Sequence, residues 1–105
     1  MKELTPAQLI KLEKLIAASE THMQTYTTLL ASDVIGQVPK AIRDRLDLSS
    51  VELAAMTTEL QIASEQKVGN MKVLASNHVS CTAAFAKAAD SVSSIINMIQ
   101  PLSVD

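Results

Sequence analysis

Apolar residues recur at helical spacing along most of the chain. In the first third, four large apolar residues follow one another at seven-residue intervals: Leu9, Ile16, Met23 and Leu30. Thr5 and Gln8 have the spacing of an N-terminal capping box, and Pro6 stands at the first helical position between them. The pattern is typical of a coiled-coil-like amphipathic helix and predicts one over about residues 6–31.

The second half of the chain repeats the pattern over a longer distance. One seven-residue column begins at Leu53 and continues to Leu102, and a partner column begins at Met71 and continues to Ile99. These columns predict a helical segment over about residues 50–100.

Whether this segment is one helix or two is left open by the sequence. Unbroken, it would be ~76 Å long, which no compact chain of this size accommodates. Gly69 and Asn70 are the natural break, because glycine costs ~1 kcal/mol inside a helix. The seven-residue phase nevertheless passes through Gly69 unchanged, as it would in a continuous helix within an extended oligomer.

A charged connector joins the two helical regions. Pro39 predicts the start of a short helix over about residues 39–46, and positions 40–47 contain five charged residues. Ser49 and Glu52 then have the spacing of a second capping box. We therefore expect the long segment to begin just after this connector helix.

These elements predict a single all-α domain over residues 1–105. The architecture is a helical hairpin or a three-helix bundle with a short connector helix, and it packs into a helical oligomer. One tyrosine, one phenylalanine and no tryptophan disfavour a β-sandwich or a barrel. A chain that is 48% hydrophobic and 19% charged also differs from disordered sequences.

Charge is unevenly distributed. Residues 73–105 hold three of the twenty charged side chains. A helix that is apolar on more than one side is usually covered on more than one side, and a short chain has little material to cover it. We therefore expect a self-association or partner surface on the last helix, carried by apolar residues: Phe85, Ala88, Val92, Ile95, Ile96 and Ile99. Ile96 would face water in a two-helix hairpin. The alternative is the central helix of a monomeric bundle.

No group of residues indicates catalysis. His22 and His78 are 56 residues apart in the sequence, and neither His-x-x-x-His nor Cys-x-x-Cys occurs, so we expect no metal and no cofactor. Cys81 lies in an apolar column and is interpreted as a small buried hydrophobe. The basic residues of the connector are Lys40, Arg43 and Arg45. Because acidic residues lie between them and stacking aromatic residues are scarce, we expect no nucleic-acid partner.

The sequence therefore predicts a structural or adaptor protein and not an enzyme. It would act through helix–helix contacts and self-association of its C-terminal helix, with itself or another helical protein as partner. The alternative is a binding module, such as an export chaperone or a small inhibitor, that captures a helix of another protein. The single cysteine fits a reducing, cytoplasmic compartment. We expect no membrane span and no Sec-type signal peptide, which leaves specialised export open.

Overall fold

The computed structural model describes residues 3–103, with side chains described through Gln100. Three α-helices make up most of the chain: α1 (Pro6–Leu30), α2 (Lys40–Gln66) and α3 (Met71–Ser103). A short 3₁₀ helix, Ile35–Gln37, lies between α1 and α2, and residues 3–103 form no strand. The predicted all-α class is confirmed. Over the same residues, none of the helices combines the length and the apolar character that a bilayer span requires.

Each helix packs against both of the others. At the start of α1, the Leu4 amide donates to the Lys67 carbonyl just after α2, at 2.9 Å. Near the end of α1, the Tyr26 hydroxyl donates to Asp47 near the start of α2, also at 2.9 Å. The chain therefore runs up, down and up again, in a unit 57 Å long and 23 by 15 Å across.

Two apolar clusters form the core. The first joins the connector, α2 and the second half of α3, and its buried members are Val34, Val38, Leu46, Leu53, Phe85, Ala88, Ala89, Val92 and Ile96. The second lies toward the turn between α2 and α3, and its buried members are Leu4, Leu12, Met56, Leu60, Ala63, Met71 and Leu74. Along α1 and α3, the buried polar residues Ser19 and His78 lie between the two clusters.

α1 begins with the predicted capping box. The Gln8 amide donates to the Thr5 hydroxyl at 3.2 Å, and the Thr5 amide donates to the Gln8 side-chain carbonyl at 2.9 Å. Leu4 is buried in the second cluster, and Leu9 packs against the same cluster, as in a hydrophobic staple. These local contacts fix the first turn of α1. The helix ends at Leu30.

α2 replaces two predicted elements with one. The short helix predicted over 39–46 and the helix predicted to follow it are continuous from Lys40, so the predicted boundary is wrong. Leu46 and Leu53 are both fully buried and seven residues apart, and only a continuous helix places them on one face. Ser49, the predicted cap, is instead buried within the helix. Long-range burial therefore overrides the local capping signal.

The chain turns between α2 and α3, so the segment predicted over 50–100 is two helices. Lys67 ends α2 in the left-handed conformation, with φ 56° and ψ 28°. The Asn70 side chain accepts a hydrogen bond from the Val73 amide at 3.3 Å and caps the start of α3. A Cβ atom at Gly69 would come within 3.3 Å of two neighbouring side chains, which favours glycine in this turn.

The left-handed conformation of Lys67 provides a stability test. This conformation costs a residue with a side chain about 1–2 kcal/mol, and glycine adopts it freely. Because glycine also increases the entropy of the unfolded chain, we expect Lys67→Gly to raise the free energy of unfolding by only about 0.5–1 kcal/mol in urea denaturation. The control Glu65→Gly, inside the last turn of α2, should lower it by about 1 kcal/mol. A less stable Lys67→Gly protein would contradict the prediction.

Candidate functional site

The six residues expected to form an interface lie together, but inside the chain. Four of them belong to the first cluster and are at most 5% exposed: Phe85, Ala88, Val92 and Ile96. Ile95 and Ile99 are half-buried and pack against the same cluster. Ile96, expected to face water in a two-helix hairpin, is buried within the single chain, because it belongs to the first cluster. Ile96→Asp would destabilise the single chain and would not report on self-association.

The outward side of α3 is small and neutral. No charged residue occurs from Val73 to Ala86, and the exposed positions in this stretch are mostly serine, asparagine and alanine. Val73, Val79 and Met98 are exposed by 49%, 66% and 71%, but Val73 and Val79 lie on different faces of the helix, and Met98 is far from both along it. Scattered exposed apolar residues of this kind are ordinary in soluble proteins.

α2, by contrast, carries a mainly apolar stripe on the side away from the core. Leu48 is 66% exposed, Val51 65% and Ile62 48%, and Ala55 is exposed as well. Intervals of three, four and seven residues place these side chains on one face of the helix. Thr58 lies on the same face, and its hydroxyl donates to a carbonyl one turn earlier in α2, at 3.1 Å. We call these five residues the α2 ridge.

The α2 ridge is absent from the sequence-based prediction, although its signal is present in the sequence. The ridge forms a seven-residue column from Leu48 to Ile62, two positions after the core column from Leu46 to Leu60. The core column alone is enough to predict the helix. Only the burial of one column and the exposure of the other identify the ridge as a surface without a partner within the described chain.

A groove of about 280 Å³ lies between α2 and α3 beside the ridge. Glu52 and Glu59 line it from α2, and Asn77, Ser80 and Cys81 line it from α3. Burial raises the pKa of the Cys81 thiol, and the nearby charges of Glu52 and Glu59 raise it further. The thiol therefore remains protonated at neutral pH, which opposes a nucleophilic role.

A second groove, of about 710 Å³, lies between α1 and α2 on the other side of the ridge. Its lining is mainly threonine and glutamine side chains, with Ala54 from α2 and Glu20 from α1. Glu20 is its single titratable lining residue among those that the structure describes. General acid–base catalysis at this groove would therefore have one carboxylate and no protein partner for it.

A serine–histidine pair is buried between α1 and α3. The Nε2 atom of His78 lies 3.1 Å from the Ser19 hydroxyl, a distance typical of a base and a nucleophile. Ser19, however, donates its hydrogen to the Leu15 carbonyl at 3.1 Å, so Nε2 of His78 is the donor in the pair. Ser19 is also 0% exposed. This arrangement satisfies two buried polar groups and does not activate the serine.

No group of three potential metal ligands converges among the side chains that the structure describes. His22 and His78 lie near each other, and the ring of Phe85 packs beside the His22 ring, with centroids 5.7 Å apart. The two histidines therefore contribute to core packing between α1 and α3.

The buried histidine predicts how stability depends on pH. Burial lowers the pKa of His78 below its ordinary value of 6.5, and the nearby His22 lowers it further, while a hydrogen bond to the Leu15 carbonyl opposes the shift. As pH falls below about 6.5, the unfolded chain binds a proton that the folded chain does not, so the free energy of unfolding decreases.

The measurement is the urea midpoint between about pH 7.5 and about pH 5.5. His78→Gln, which stays neutral throughout, should show a flatter dependence than the wild type. A wild-type midpoint that stays constant or rises on acidification would contradict the prediction.

No known protein family matches this chain, and neither a curated protein nor a solved structure matches it. Function is therefore inferred from the surface of the chain itself. On that surface, the α2 ridge and the carboxylates beside it form a group that packing of the core does not explain.

Proposed function

We propose that this chain is a non-catalytic adaptor or structural protein that acts through helix–helix contact, with the α2 ridge as its contact surface. The observation that carries the proposal is the exposure of three large apolar side chains at helical spacing, on a helix whose opposite side forms the core. Contiguous apolar patches of this kind on soluble proteins commonly mark interaction sites.

Covering the ridge would remove considerable apolar surface from water. Complete burial of a leucine, valine or isoleucine contributes ~1.5–3 kcal/mol, so Leu48 and Val51, two-thirds exposed, would each contribute about 1–2 kcal/mol. From Leu48 to Ile62 the ridge is about 21 Å long, or about four helical turns. A helix with apolar residues at three- and four-residue intervals has the complementary shape.

The state of the reactive side chains supports a non-catalytic role. Cys81 is held as a thiol by burial and by two neighbouring carboxylates. The Ser19 hydroxyl is buried and donates to a backbone carbonyl. Each candidate nucleophile is thus in a state that opposes attack on a substrate.

The contact is assigned to α2 because most of the large apolar side chains of α3 are already packed in the core. A second copy would reach the residues from Phe85 to Ile96 only if α1 or α2 first moved away from them. Such an opening would expose the core, at a cost comparable with the stability of a small domain. The α2 ridge requires no rearrangement of this kind.

Two variants of matched chemistry test the proposal. Val51→Asp places a carboxylate on the ridge, and Val79→Asp does the same on α3, at a valine of nearly equal exposure. Both should fold with a free energy of unfolding within about 0.5 kcal/mol of the wild type. The probe is a designed neutral helical peptide with leucine at the heptad positions and glutamine and alanine elsewhere. Its binding is measured by fluorescence anisotropy, and self-association of the protein is measured by sedimentation equilibrium.

We expect the wild type to bind the peptide or itself, and Val51→Asp to weaken that association at least about tenfold by removing a buried contact and burying a charge. Val79→Asp should change it by less than about twofold. Absence of any association tighter than about 1 mM would overturn the proposal. Equal losses in the two variants would overturn it as well.

A further inference from the structure

We infer that the helix bound by the α2 ridge is a basic amphipathic helix of another protein and not a second copy of this chain. The inference rests on the proposed function, in which the ridge is the contact surface. It depends on the charges that flank the ridge, and these charges select between the possible occupants.

α2 is acidic over the residues that carry the ridge and has no basic residue there. Residues 48–66 contain Glu52, Glu59 and Glu65 and neither lysine nor arginine. Across the groove, residues 73–86 of α3 carry no charge. Among the residues that the structure describes, one ion pair is formed, between Lys40 and Asp44, so neither Glu52 nor Glu59 has a cationic partner there.

Two of these carboxylates stand at a spacing that a helix can match. Glu52 and Glu59 are seven residues apart and so lie on one side of α2, about 10.5 Å from each other along its axis. Both line the groove beside the ridge, and the negative charge of each raises the pKa of the Cys81 thiol across the groove. A helix with lysine or arginine at a seven-residue interval on one flank would place a cation opposite each carboxylate while its apolar face covers the ridge.

The other side of the ridge has the same sign of charge. Glu20 of α1 lines the groove that α1 forms with α2, next to Ala54. A helix lying along the ridge would thus have carboxylates on both flanks. Basic residues on both edges of its apolar face are the complementary arrangement.

A second copy of the chain does not have this arrangement. Two ridges packed together would each bring Glu52 and Glu59 to the shared rim, where like charges destabilise a helix pair. All basic residues of α2 precede the ridge, and the first of them, Lys40, already pairs with Asp44 at 2.7 Å. The charges therefore disfavour self-pairing and favour a basic partner.

Three peptides with one apolar face test the inference. Each has about 20 residues, since shorter helices are marginal in water, and carries leucine at the heptad positions. Lysine, glutamine or glutamate occupies the flanking positions. We expect the lysine peptide to bind at least about tenfold more tightly than the glutamate peptide, with the glutamine peptide between them. At about 1 M salt, where screening acts within ~3 Å, the difference should shrink to about twofold.

Paired variants locate the source of the preference. Glu52→Gln/Glu59→Gln should lose most of the preference for the lysine peptide, with Glu20 retaining the rest, and should leave binding of the glutamine peptide within about twofold of the wild type. Asp33→Asn/Asp90→Asn makes the same change in net charge at exposed positions in the connector and on α3. This control should leave the preference for lysine within about twofold of the wild type.

The outcomes separate the inference from the proposed function. If all three peptides bind alike and Val51→Asp abolishes their binding, the ridge remains the contact surface and the basic partner is wrong. If the chain forms a dimer that Val51→Asp disrupts and Glu52→Gln/Glu59→Gln strengthens, the occupant is a second copy and the inference is again overturned. An equal loss of preference in the two paired variants would also overturn it, because net charge alone would then explain the data. If no peptide binds and no dimer forms, the proposed function itself fails.

Discussion

α3 must be covered on two sides, and this requirement organises the whole molecule. Residues 73–86 have no charged side chain with which to face water, and the chain meets the requirement by placing α1 and α2 against α3. Phe85 shows how closely the three helices depend on one another. Its ring lies 5.7 Å from the His22 ring and 6.5 Å from the Tyr26 ring, both on α1. The Tyr26 hydroxyl in turn donates to Asp47 on α2, so one aromatic cluster connects all three helices.

Apolar burial supplies the free energy of this arrangement, but it does not by itself fix how far α1 slides along α3. That position is fixed by two specific contacts between α1 and α3. Ser19 bonds His78, and Tyr26 packs against Phe85, with the same offset of 59 residues in both pairs. Sliding α1 by one turn would break the hydrogen bond between Ser19 and His78 and remove this partner from the buried histidine, at about 1–3 kcal/mol. A few polar atoms between two apolar clusters thus select one register among several that would bury similar apolar area.

The limits of the sequence-based prediction follow from what each signal depends on. The start of α1 is predictable because Thr5 and Gln8 are three residues apart and need nothing else. Ser49 has an equally good local signal, yet it lies inside α2. The helix continues on the N-terminal side of Ser49 because Leu46, three residues earlier, is buried against α3. Periodicity likewise shows that Ile96 and Val51 belong to particular faces. It does not show how many helices the fold packs against each face. Ile96 is buried because other elements of the chain cover its face, and Val51 is exposed because no element within residues 3–103 covers its own.

The core is also divided unequally along the chain. α3 contributes five of the nine buried residues of the first cluster, and the connector and α2 contribute the other four. At about 5–20 residues per second, a ribosome needs about 2–7 s to synthesise the 33 residues of α3. During that interval α1 and α2 have left the peptidyl transferase centre while the surface that covers them is still being made. The apolar faces of α1 and α2 therefore lack the surface that covers them until α3 is synthesised, and the pace of translation through α3 sets the length of that interval.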